Sequence, residues 1–130
     1  MEMTEITRQH LEDAALAAGH EVACSEAAYH NITKSDVLHL YGLILRGEQD
    51  AWRPHLDDGD AFRLMAAIRG AIEVRKHDSW AAVADYDGDR PGALMEVEHD
   101  GTPSDAARAA REAIVLCAAA VGERMRKGGA

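Results

Sequence analysis

The sequence predicts an α+β domain: an antiparallel sheet of four to five strands with helices packed on it, in the order α-β-β-α-β-β-β-α. Three observations carry that prediction. A long apolar stripe with 3.6-residue period, Ala107, Ala110, Ile114, Cys117, Val121 and Met125, marks a closing helix. Runs rich in strand formers at 37–45, 72–74, 80–84 and 93–98 are separated mostly by polar or Gly- and Pro-bearing turns. Only one helical pattern interrupts them, so strands and helices are segregated and the sheet is expected to be antiparallel. With 130 residues and 14.1 kDa, one domain spans 1–130: an N-terminal helix and loop at 1–36 and a sheet-and-helix core at 37–127. That length buries a core without covalent staples.

Taken in order, residues 4–18 read as a helix. Thr4 caps it, Glu5 sits in its first turn, Leu11, Ala14, Ala15 and Ala18 follow the helical period, and Gly19 stops it. Residues 20–36 are polar and poorly patterned, a loop, with or without a short turn of helix, anchored by Cys24, Tyr29 and Ile32. The run at 37–45 reads as a strand, 46–50 has turn composition, and a hairpin returns through Ala51, Trp52 and Arg53. Pro54 breaks that strand. Asp57 or Asp58 then caps a second helix whose buried stripe is Ala61, Leu64, Met65 and Ile68 and whose end falls near Arg69 and Gly70. Ile72, Glu73 and Val74 alternate as a half-exposed strand does, and Lys76, His77 and Asp78 form a polar turn. Strands at 80–84 and 93–98 flank a wide connection at 85–92. Trp52 and Trp80, both on expected strands, are read as core residues whose indole N–H groups want partners. Thr102 or Ser104 caps the last helix, Pro103 suits its first turn, and it runs to about residue 126.

Charge and composition narrow the function. Lys and Arg total 14 against 23 Asp and Glu, a formal charge of −9, which disfavours direct DNA binding over most of the surface. The acids alternate with Arg and Lys, whereas a nucleic-acid mimic sets them in rows. No apolar run approaches the ~20 residues of a membrane span, no export pattern opens the chain, and Cys24 and Cys117 are too few and too far apart for a disulfide framework. The expectation is a cytoplasmic protein with no membrane association. A thin alanine-rich core and the open edges of an antiparallel sheet allow a homodimer.

Each chemically suggestive group has a plainer reading beside it. Asp85, Asp87, Asp89 and Glu96 fit positions 1, 3, 5 and 12 of a calcium loop. Arg90 stands where that loop needs glycine, so a solvated turn is preferred. The seven histidines lack metal-ligand spacing, and the expectation is neither metal nor cofactor. Cys117 lies in the apolar stripe of the last helix and reads as packing. No GxSxG, Walker, GxGxxG or HExxH pattern nominates catalytic residues. Asp57, Asp58 and Asp60 are either helix caps, with one acid left for Arg63 or a partner, or paired carboxylates for Mg²⁺ and acid–base work. Arg108 and Arg111 near the start of the last helix are either a phosphate site or an Arg108–Glu112 pair with a solvated Arg111.

The pattern Trp52-x-Pro54-x-x-Asp57-Asp58-Gly59-Asp60-Ala61-x-Arg63-Leu64, followed by strands and by Asp105-Ala106-Ala107-Arg108-x-x-Arg111-x-Ala113-Ile114-Val115, resembles small uncharacterised tailed-bacteriophage proteins related to the phage α-β-α sandwich domain family. The resemblance covers roughly residues 38–125. It implies a phage or prophage gene product in a host bacterial cytoplasm, and by analogy an anti-defence role. The leading expectation is therefore a non-enzymatic accessory protein binding a host bacterial protein through the acids at 57–60 and the adjacent hairpin, with Arg63 and Trp52 beside them. A sponge for a small nucleotide ligand at Arg108 and Arg111 is the alternative, and a metal-dependent enzyme using the acidic cluster is the third reading.

Overall fold

The computed structural model describes residues 6–22, 45, 52–83 and 93–128. Helix α1 spans Arg8–Ala17, helix α2 spans Asp58–Ile68, strands β1, β2 and β3 span Ala71–Val74, Asp78–Val83 and Ala93–Glu98, and helix α3 spans Pro103–Gly128. The class is α+β, with an antiparallel sheet in the order β1-β2-β3. Among the described residues there are three strands, not four or five, and the order is α-α-β-β-β-α. The expected hairpin at 37–45 and 51–53 falls outside the described residues except for Leu45, Trp52 and Arg53. Leu45 forms an isolated antiparallel bridge with Val22, within the stretch read as loop.

Thr7, not Thr4, caps α1. Its hydroxyl accepts from the His10 amide at 3.1 Å while His10 Nδ1 accepts from the Thr7 amide at 3.0 Å. This is a capping box in which an imidazole nitrogen replaces the usual Glu or Gln carbonyl. Beyond Ala17 the helix closes as expected: Gly19 takes φ +81°, and the His20 amide reaches the Ala15 carbonyl at 2.9 Å.

Strand β2 begins at Asp78, earlier than expected, and alternates strictly. Ser79, Ala81 and Val83 are buried against α3, and Trp80 lies on the opposite, outer face, half-buried. Trp80 is thus not a core residue. The inner positions are small because α3 lies close above them, and the Ser79 hydroxyl donates to the Ala106 carbonyl at 3.5 Å. In β3 the same alternation turns Ala93, Met95 and Val97 inward and Leu94, Glu96 and Glu98 outward. All four residues of β1 are exposed, where a half-exposed strand was expected. Helix α3 runs beneath β2 and β3 and only skirts β1.

Helix α3 is the centre of the fold, touching α1, α2 and every strand. From Ala113 to Ala119 every residue is buried, so the helix lacks a continuous solvent face there. Leu11 from α1, Leu64 and Ile68 from α2, and Val115, Cys117 and Val121 from α3 are at most 1% exposed. Each such aliphatic side chain contributes about 1.5–3 kcal/mol of transfer free energy. The α1–α3 crossing is a backbone contact. A methyl group on Gly122 would overlap the Asp13 carbonyl oxygen, and one turn further on Arg126 holds the buried Asp13 carboxylate at 3.0 and 3.3 Å.

Candidate functional site

The acidic motif is built by the turn that precedes α2. The Leu56 and Asp57 amides both donate to the Arg53 carbonyl, at 2.9 and 2.8 Å, which brings three aspartates to the start of the helix. Asp57 is the N-cap, accepting from the Asp60 amide at 2.8 Å. Asp60 reaches back to the Arg53 amide at 2.9 Å and accepts from Arg63 at 2.6 Å. Asp58 crosses to α3, where Arg111 meets it at 2.8 Å and also donates to the His55 carbonyl at 3.1 Å. The motif therefore fastens the entry loop to α2 and α2 to α3. Trp52 is buried against the end of α1, edge-on to His20 with ring centroids 5.6 Å apart, so it meets core rather than partner.

The arginine pair is committed to internal partners. Arg108 bonds Asp105 at 2.7 Å, Glu112 at 2.8 Å and the Glu98 carbonyl at 3.1 Å. Arg111 is only partly exposed, held by Asp58 and the His55 carbonyl. A phosphate at this helix start would compete with three carboxylates. Arg108 and the Asp100 amide hold the Asp105 carboxyl down at about 2, while burial outweighs Arg108 and pushes Glu112 up.

The remaining chemical candidates resolve similarly. Among the described residues no group of three or more His, Cys, Asp or Glu is placed to hold a metal ion. Of the calcium-loop positions, Asp85, Asp87 and Asp89 lie outside the described residues, and Glu96 sits on β3 with Arg75 at 3.6 Å. Cys24 also lies outside them. Cys117 is fully buried, and desolvation pushes its thiol up to about 11, which leaves it protonated and inert. Among the described residues no helix is long and apolar enough to cross a membrane.

A surface that the motifs did not nominate lies on the outer face of the sheet. Register places Glu73, Trp80 and Glu96 in one cross-strand row, with Asp78 paired to Glu98 and Ala82 to Leu94 in neighbouring rows. Leu94 is 60% exposed. Arg75 grips Asp78 through two bonds of 2.9 and 2.7 Å, whereas Glu73 and Glu98 make no side-chain ion pair with a described residue. The signal that could have found this face was parity. Leu94 shares its face with Glu96 and Glu98, and antiparallel pairing then sets Trp80 beside them. Comparison with known protein families, curated proteins and solved structures finds no match to this chain.

Proposed function

We propose that this chain is a non-enzymatic binding protein that docks a partner protein on the outer face of its sheet, with Trp80 as the anchor. The observation that carries this reading is the row Glu73, Trp80, Glu96 with the exposed Leu94 beside it. An aromatic side chain among apolar and ringed by polar neighbours is the arrangement that concentrates binding energy at interfaces. The carboxylates around it, on a chain of formal charge −9, favour a basic partner and speed its encounter. The aspartates at 57–60 are occupied in holding α2, so the partner surface moves from them to the sheet. The phage-family resemblance adds the proposal that the partner is a host factor met in a bacterial cytoplasm, where binding it serves an anti-defence role.

Native mass spectrometry of the protein recovered from bacterial lysate, run beside a Trp80→Ala/Leu94→Ser variant of unchanged circular dichroism, tests the reading. The wild type is expected to carry a co-purifying protein that the variant has lost. Equal capture by both chains would overturn the assignment of the face. A mass increment of one nucleotide on the wild type would replace it with the sponge reading at Arg108 and Arg111.

A further inference from the structure

Strand β1 is the least protected part of the sheet. Ile72 and Val74 pair with Ala81 and Ser79 and so share their inner face, yet they are 38% and 55% exposed because α3 does not extend beneath them. Among the described residues β2 is the only strand beside β1. Edge strands are ordinarily blunted by being very short, by charged side chains, by proline, by a bulge, by an inward charge or by a covering element, and of these β1 has its four-residue length and Glu73. The sequence Ala71-Ile72-Glu73-Val74 has no proline and no inward charge, and its register with β2 runs unbroken over four pairs.

We propose that an extended segment of the partner, alternating apolar and basic residues, adds to the sheet as a further strand beside β1, an inference that rests on the binding role proposed above. The alternation follows from the two faces of the strand. On the inner side an added strand meets Ile72 and Val74, and its apolar side chains complete the cover that α3 leaves unfinished. On the outer side it meets Glu73, with Trp80 and Glu96 beyond in the same row, and a lysine or arginine opposite Glu73 adds a directly paired counter-charge to the longer-range attraction of Arg75. Arg75, at the end of the strand, is already neutralised by Asp78 and Glu96, so it does not repel a cationic neighbour strongly. A second copy of this chain fits less well. The two-fold register that pairs Ile72 with Val74 sets Glu73 against Glu73, and each copy brings a formal charge of −9.

The test uses the full chain and three synthetic ten-residue peptides: one alternating Val or Ile with Lys or Arg, one with Glu replacing every basic residue, and the basic peptide N-methylated along its pairing edge. Calorimetry measures binding, and hydrogen exchange reads the amides of residues 71–74. The basic peptide is expected to bind and to slow exchange in β1. Glu73→Lys should weaken it by about tenfold, and neither control peptide should bind. Binding without β1 protection, equal binding by the N-methylated peptide, absence of binding, or a peptide-free dimer that protects β1 would each overturn strand addition. If the basic peptide fails while lysate capture still requires Trp80, the binding face stands and strand addition falls. If capture ignores Trp80 while peptide protection of β1 remains sensitive to Glu73→Lys, strand addition stands and the Trp80 anchor falls.

Discussion

Asp57, Asp58 and Asp60 carry the same functional group within four positions, and each holds a different part of the molecule: a helix amide, a second helix, and the backbone of the entry loop. That Asp57 or its neighbour caps a helix was legible, because a carboxylate before an apolar-periodic run after proline has few other uses. That Asp58 reaches Arg111, 53 positions away, was not legible, since no local pattern encodes a distant partner. Arg69 shows a related limit. It takes the left-handed conformation at the end of α2, φ 56°, ψ 44°, although a glycine follows it. Gly70 is needed for space: a methyl group there would collide with Met65 Sδ and sit 3.0 Å from the Ala82 carbonyl. The strained turn therefore falls to Arg69. Left-handed geometry costs a non-glycine residue roughly 1–2 kcal/mol, partly offset by the extra freedom that glycine has when unfolded. Arg69→Gly should accordingly stabilise the fold by about 0.5 kcal/mol, read as a higher urea midpoint with unchanged slope. A lower midpoint would mean that the arginine side chain contributes more than its backbone strain removes.

At the scale of elements, α3 was the most legible. Its apolar stripe, its Thr102 cap and its Pro103 first turn are local features, and the Thr102 hydroxyl accepts from the Asp105 amide at 3.3 Å as that reading requires. The bounds of β3 were equally plain from alternation. The start of α1 was missed because a histidine ring completes its capping box, a role the usual Ser/Thr-to-Glu pattern does not include. The exposure of β1 was missed because Ile-Glu-Val reads as half-buried in any sheet, and only the lateral placement of α3 decides what lies beneath it. The first turn of α3 also makes a titration prediction. Asp105 is held at about 2 against an ordinary 3.8, so its contribution is complete above about pH 4 and is lost as pH falls toward 2. Asp105→Asn should be less stable than the wild type at pH 5 by chemical denaturation, and that difference should shrink by pH 2. A gap of constant size would assign the effect to packing instead of charge.

Across the whole molecule, α1 and α3 approach so closely at Gly122 that the chain needs a residue without a side chain there. Gly122→Ala should cost about 1–3 kcal/mol through overpacking, measured as a fall in the thermal midpoint, because the methyl group must displace the Asp13 carbonyl or the whole of α1. An unchanged midpoint would show that the two helices separate without penalty. None of this was readable beforehand: an isolated glycine in a helical run lowers helix propensity and gives no hint of what lies above it. The fold class was readable, since it rests on the periodicity of whole segments. The outward side of Trp80 depended on register across three strands.

Helix α3 is the hub of the packing, follows α1, α2 and the three strands in the chain, and joins positions as distant as Asp13 and Arg126, 113 apart. During synthesis α1, α2, β2 and β3 therefore leave the ribosome before the helix they pack against. Their apolar sides stay open until α3 follows. Contacts this distant in sequence slow folding, because loop-closure entropy opposes them before they form.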